Sequence, residues 1–374
     1  MSSSIESTGR LEFSTVWEKG EEGTEAFGCF GLCVTGNNDV LAFCEGRIGW
    51  RDYDPQHLFC KRSTDGGRIW GKNKVLCESR SGEIFHNPTP VMDRESGFIF
   101  VFYGDCKENK SSRVCYLRSD DGGESWSEPF DVTDLFKMDP KQRAFHLPGP
   151  GHGIQMQSGR LTVPVWHRHA VDNSFLPHIS ERQYAISVVY SDDGGASWQN
   201  GQYTDSWNEP GLNAQANESR CLELADGTLL MNARMGIPHR LAIGPNRVIG
   251  LSCDGGITWD PNPYTAFNAS FLTDSPSIAY NQDRQIFARP NCLNTSSQSH
   301  PENGRRNMTV YLCRNGMKEI LNQRVIDPGN AYYSDLCLLP DHTILLLYGK
   351  GFLNNWMGNE VRCACFDLDW LQGS

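Results

Sequence analysis

No part of this sequence keeps apolar residues at helical spacing for long, so a helical bundle is excluded. No apolar run is long enough for a bilayer either. The longest, Phe98 to Phe102 and Ile344 to Tyr348, fall far short of the roughly 20 residues a spanning helix needs. Basic residues form no stripe, and the net charge is −11. This balance argues against a nucleic-acid partner and against a membrane-surface protein. The start, Met1 to Ser7, has neither a basic region nor an apolar core, so no signal peptide is expected. Cysteine is plentiful, at 14 residues, yet the paired spacing of a zinc site is missing: Cys363 and Cys365 share a strand face without a second pair. A chain of this size buries a core without disulfides, so the cysteines read as small hydrophobes of a reduced, cytoplasmic protein. Neither a metal nor a cofactor is expected.

What the chain does contain is turn chemistry. Glycine (37), proline (19) and tryptophan (10) are well used and charged residues make up 21%, the profile of short strands and turns. One pattern, S-x-D-x-G-x-x-W, recurs at Ser63–Trp70, Ser119–Trp126, Ser191–Trp198 and Ser252–Trp259. Its glycine pair permits positive φ, its Asp can accept from the turn's own amides, and its Trp can fold back over the turn. A calcium-loop reading fails because the bidentate acid that should close such a loop is missing from every copy.

Each copy follows a β-rich run, as in Val114 to Leu117 and Ala185 to Tyr190, so each turn is expected to join antiparallel strands. The copies lie 56, 72 and 61 residues apart, and a worn fifth follows at Leu312 to Gly316. Repeats of this length suit propeller blades better than solenoid repeats of about 20–45 residues. Residues 1–25 read as a tail with a first strand near Leu11, and residues 26–374 as one all-β unit. A helical turn is expected within Asp131–Met138, an irregular loop from Asn291 to Asn307, and closing strands over 343–348 and 360–368.

The repeat resembles the Asp-box of the sialidase (neuraminidase) superfamily, whose fold is a six-bladed β-propeller. A second, ordered set of segments is similar to that superfamily across roughly residues 26–370. It comprises Val40 to Arg47 with the acidic loop Trp50 to Pro55, Gly149 to Ile154 with Gly159 to Leu161, and Asn217-Glu218-Ser219 with Asn232-Ala233-Arg234. Arg305 to Val310 and Ala331 to Leu336 complete it. The resemblance implies a retaining exo-glycosidase for terminal sialic acid, or a related nonulosonic acid, on glycoconjugates. Tyr333 would be the nucleophile, Glu218 its base and Asp52 the acid and later the base, with Asp54 on the same face as the alternative. A neutral nucleophile suits a sugar whose anomeric carbon already bears a carboxylate. Each residue also fits a bland role: Tyr333 as a core aromatic, Glu218 as a turn acid.

Arginine is the natural carboxylate clamp, because its fork donates two parallel bonds. Arg234 and Arg305 match two of the family's three clamp arginines, with Arg306 beside the second. Where the first should stand there is Gly28, and no arginine occurs between Arg10 and Arg47. Losing one such arginine typically weakens binding by about 2–5 kcal/mol. Arg47 or Arg51 could reach the carboxylate from the neighbouring loop. Otherwise the sugar is a different acid, or the protein is a binding propeller or a glycosidase or lyase for another acidic sugar. His167 and His169 share a strand face but lack a third ligand. Together with His152 and Arg143 they are expected at the pocket rim or between blades.

Overall fold

The computed structural model describes residues 9–49, 51–108, 110–170, 183–208, 214–235, 245–268, 276–291, 305–351 and 358–373. Trp50, residues 1–8 of the tail and most of the irregular 291–307 loop lie outside the described residues. The described chain is nearly all β. Its exceptions are three short 3-10 turns and α1 (Leu368–Gln372), which Asp367 caps by accepting from the Trp370 amide. One of the 3-10 turns, Thr133–Phe136, is the helical turn expected within Asp131–Met138.

Strands follow one another as antiparallel neighbours. One sheet runs through β2 (Ala26–Val34), β3 (Val40–Arg47), β4 (Gln56–Ser63), β6 (Ile84–Met92), β7 (Ile99–Lys107), β8 (Ser111–Ser119) and β9 (Phe130–Asp131), with β5 (Lys74–Cys77) also on β4. A single parallel bridge, Gln56 to Ile84, is all that joins β4 to β6 in this sheet. A second sheet holds β10 (Phe145–Pro148), β11 (Ile154–Gln155), β12 (Leu161–Arg168), β13 (Ala185–Ser191) and β14 (Gln199–Asn200). A third holds β15 (Ser219–Glu223), β16 (Leu229–Arg234), β17 (Pro245–Ser252) and β18 (Tyr264–Asn268).

The last sheet is built around β22 (Glu319–Leu338). Its first part pairs with β21 (Arg306–Arg314), which continues to β20 (Arg284–Pro290) and β19 (Ser277–Ala279). Its second part pairs with β23 (Ile344–Lys350), then β24 (Glu360–Phe366), then β1 (Leu11–Glu18). The first described strand is thus held by the last, in register from Leu11 opposite Phe366 to Glu18 opposite Glu360.

Burial explains the sequence pattern. Strands β2, β3 and β12 are buried almost end to end, covered on both faces, and so read as nearly continuous apolar runs. The first part of β22 is open by contrast: from Glu319 to Val325 no position is buried, and burial begins at Ile326 and Asp327.

The four repeated turns share one geometry. In each, the Ser hydroxyl donates to the Asp at 2.7–2.8 Å and accepts from the second glycine's amide at 2.7–2.9 Å. The Asp then accepts at 2.9 Å from the amide four residues on. All eight glycines take positive φ, between 67° and 93°. The Trp side chains also staple the turns to other strands. Trp126 lies over Gly123 and edges onto Phe43 of β3, Trp198 packs on Phe100 and Phe102 of β7, and the Trp70 indole donates to Ser14 of β1. The worn fifth copy is a turn as well, with Asn315 and Gly316 at positive φ, but without the Ser–Asp ring.

Beside β2, the second part of β22 is pinned at several points. The Tyr332 hydroxyl donates to the Phe27 carbonyl at 3.1 Å, and Asp335 accepts from the Leu32 amide at 2.8 Å. Asp335 also bonds His152 at 2.9 Å and Arg220 of β15 at 3.4 Å. This buried hub draws together segments that are far apart in the chain and sets Tyr333 beside the start of β15.

Candidate active site

Tyr333 and Glu218 meet across 115 positions of sequence, with the phenol donating to Glu218 Oε1 at 2.5 Å. Glu218 sits just before β15, and its amide donates to the Asn217 side chain at 2.8 Å. Its backbone pairs with that of Arg234: Arg234 N donates to Glu218 O at 2.8 Å, and Asn217 N to Arg234 O at 3.0 Å. This pairing holds Arg234, the last residue of β16, next to Glu218, where its guanidinium pairs with Glu218 Oε2 at 2.5 Å and reaches the Tyr333 oxygen at 3.4 Å. Arg305, just before β21, is placed by the Ala331 amide, which donates to its carbonyl at 2.9 Å, and its guanidinium stands 5.6 Å from the Tyr333 ring centre.

These groups perturb one another. Burial, and then the Glu218 charge, push the Tyr333 phenol well above its ordinary range, so the free protein holds it protonated. Burial pulls the Arg305 guanidinium down, and the like charge of Arg234 adds to this. Arg234 is shifted up: burial works against its charge, but Glu218 outweighs burial. Two largely buried cations beside one carboxylate and one neutral phenol make a cluster suited to an anion.

A second cluster is built on β2 and β3. Gly28 stands opposite Glu45, and Cys29 forms a bulge with φ of 31°. Glu45 and Arg47, two residues apart, share a strand face and pair through Nε at 3.0 Å and Nη2 at 2.5 Å. Glu45 also meets His86 Nδ1 at 3.1 Å and accepts from the Asn87 amide at 2.9 Å. Burial alone would raise the Glu45 carboxyl, but Arg47 first, then His86 and the Asn87 amide, bring it down to about 2. Arg47 Nη1 bonds Asp52 at 2.7 Å, and the two partners contrast: the Asp52 side chain is 71% exposed, that of Arg47 only 2%. Partial desolvation raises the Asp52 carboxyl, yet the Arg47 guanidinium outweighs it and lowers the net value. Burial, and then Glu45, keep Cys29 a thiol.

The residues singled out in the sequence fall into distinct places. Glu218, Tyr333, Arg234 and Arg305 come together, while Asp52 and Arg47 form the neighbouring pair. Asp54 instead accepts from the Arg51 amide at 2.9 Å, closing the acidic loop. Arg51 is exposed, with its guanidinium 5.8 Å from the Tyr53 ring centre. Arg306 is exposed and pairs in the ladder with Asn330. His167 is buried against His146 at 2.8 Å and Ser187 at 2.8 Å, whereas His169 lies beyond the end of β12. Arg143 is buried between Asp139 and Asp205, and His152 belongs to the Asp335 hub. No group of His, Cys, Asp or Glu among the described residues is arranged to hold a metal ion. Sequence reasoning missed Glu45, His86 and the Asp335 hub. The Glu45-x-Arg47 alternation was the available signal for the first.

Residues 41–346 match the profile of the BNR repeat-like domain. The chain belongs to this family, within the sialidase superfamily. It is 29% identical to a sialidase of Micromonospora viridifaciens over 95% of this chain and 53% of that protein. It is 34% identical to Sialidase-3 of Homo sapiens over 46% of this chain and 44% of that protein. The chain thus spans about half the length of these curated relatives. Among solved structures, the Hadza microbial sialidase Hz136 superposes with a TM-score of 0.76 at 20% identity, covering 96% of this chain and 69% of that one. The intramolecular trans-sialidase from Ruminococcus gnavus gives 0.74 at 18% identity, covering 96% and 98%.

Proposed function

We propose that this protein is a retaining exo-glycosidase that hydrolyses terminal sialic acid, or a related nonulosonic acid, from glycoconjugates. The observation that carries the reading is the 2.5 Å contact between the Tyr333 phenol and Glu218, with Arg234 and Arg305 beside it. The strand order supports six four-stranded blades, with β22 shared between the last two and β1 completing the last. The described cysteines are free thiols, which supports a reducing compartment such as the cytoplasm.

In this reading the sugar's carboxylate lies on Arg234 and Arg305, which aims the anomeric carbon at Tyr333. As the phenol oxygen bonds to that carbon, its proton passes to Glu218, and the glycosidic oxygen leaves with a proton from Asp52. Asp52, now a carboxylate, takes a proton from water. The water oxygen displaces the tyrosine oxygen, which recovers its proton from Glu218. Glu218 matters because the phenol is pushed up by burial and does not ionise alone. Asp52 is held low by Arg47 in the free protein, so it must gain its proton as the sugar binds and covers it.

The test is release of free sugar from a fluorogenic N-acetylneuraminide and its deaminated analogue, comparing wild type with Tyr333→Phe. Turnover that disappears in the variant supports the reading. A folded wild type that releases neither sugar rejects it in favour of another acidic sugar or a binding role.

A further inference from the structure

The place where a clamp arginine is missing is not empty. A Cβ on Gly28 would come within 2.4 Å of Glu45 Oε2 and 2.6 Å of Arg47 Nε and Nη2. Those are side-chain atoms, but Arg47 is held from both sides and Glu45 is fully buried with three partners of its own, so a Cβ there would displace them only against those bonds. The guanidinium of Arg47 therefore fills the volume over β2 that any larger residue at position 28 would claim.

That volume adjoins the first cluster. The Tyr332 hydroxyl, bonded to the Phe27 carbonyl, lies within the electrostatic reach of both Arg47 and Arg305. Arg305 in turn feels Asp52, Glu218 and Arg234. The bond from Tyr332 to Phe27 sets Gly28, and with it Arg47 of β3, beside the segment that carries Tyr333, against which Arg234 of β16 and Arg305 before β21 stand. The Arg47 fork has more N–H groups than its bonds to Glu45 and Asp52 use. Its one partner on the open side is Asp52.

We propose that Arg47 is the third guanidinium for the substrate's carboxylate, positioned by Glu45 in the space that glycine at position 28 leaves free. In the free protein Asp52 occupies the Nη1 donor, and the arriving sugar acid takes that donor over. The exchange has a chemical consequence. Once the substrate carboxylate shares Arg47, Asp52 loses part of what keeps it ionised and is readied to carry the proton that the leaving oxygen needs. Besides Arg47, the charges of Glu45 and His86 act on Asp52, and Asp52 in turn acts on Arg305. This inference rests on the sugar-acid reading above. It adds that the site recognises the acid by a guanidinium from β3 where its relatives' pattern calls for one from β2.

The experiment measures binding of a 2,3-didehydro sialic acid and of its neutral carboxamide to wild type, Arg47→Ala, Arg47→Lys, Glu45→Gln and Gly28→Ala. Wild type is expected to prefer the acid strongly. Arg47→Ala should cut that preference by about 30-fold or more while leaving carboxamide affinity within about 3-fold. Arg47→Lys should restore part of it, since the charge returns without the fork. Glu45→Gln and Gly28→Ala should each lower the preference by about 10-fold, because they shift the guanidinium rather than remove it. A residue with a merely structural role would weaken both ligands alike, and an unchanged acid-to-amide ratio in Arg47→Ala overturns the proposal. Should that variant fail to fold, Arg47→Lys and the double variant Glu45→Gln/Arg47→Gln, which leaves no buried charge unpaired, read the same ratio. A wild type that binds neither ligand overturns the sugar-acid reading and this inference with it. A wild type that binds the acid, with every variant keeping its preference, overturns this inference alone.

Discussion

The two halves of the pocket are built on opposite plans. Around Tyr333 the ionisable groups contact one another directly: phenol, carboxylate and guanidinium lie within 2.5–3.4 Å, and each has a part in the proposed chemistry. Around Arg47 the ionisable groups are mostly committed to holding one another. Glu45 is wholly buried, with Arg47, His86 and the Asn87 amide as partners, and only Asp52 faces solvent. The difference shows that a set of charges can be reactive or structural depending on how many partners each one has. Removing a group from the first half should cost rate, and removing Glu45, whose partners are all buried protein groups, should cost stability as well as the placement of Arg47.

The largest effect is expected at Tyr333. Tyr333→Phe should lower kcat by about 1,000-fold or more with little loss of stability, since it removes only a nucleophilic oxygen. Steady-state turnover together with a melting curve separates the two. Glu45→Ala should act first on stability. It leaves the buried Arg47 without its main counter-ion and should cost about 3–5 kcal/mol in chemical denaturation. A Glu45→Ala protein as stable as wild type would break the contrast.

Acid should single out the same half. Glu45 has a folded-state value of about 2, below its ordinary 4.5, so its contribution is fully present above pH 4.5 and lost as pH falls towards 2. The loss attributable to this group is roughly 3 kcal/mol, and Glu45→Gln should flatten that part of the stability profile. The smallest effect lies outside both halves, in the repeated turns. Ser119→Ala removes the acceptor of the buried Gly123 amide and should cost about 1–2 kcal/mol while leaving kcat/KM unchanged. A fall in kcat/KM would show that the turns reach the pocket, which would blur the line drawn here.

Particular residues mark how far the sequence could be read. Ser119, Asp121, Gly123 and Trp126 disclosed their turn because every bond that defines it spans only a few positions. The strands before each turn were legible for the same reason, through β-rich composition. At the site, the choice between Asp52 and Asp54 was open in the sequence, because an extended loop would put both on one face, whereas the loop folds as a turn. In the structure Asp52 pairs with Arg47, while Asp54 is spent on the Arg51 amide. Likewise Arg305 and Arg306 are adjacent and chemically identical, yet only Arg305 stands over Tyr333.

The amino-acid sequence by itself determined the all-β character, the positions of the repeated turns and the residue types of the pocket, since these depend on local conformational preference and on chemistry. It also disclosed that Gly28 stands where an arginine was expected. Only the tertiary structure decided what that glycine means. Glu45 and Arg47 fill the space above it, and Tyr332 ties its strand to the one that carries Tyr333. Which side chain takes a given volume depends on strands brought together across some 300 positions of sequence, and no local pattern encodes that meeting.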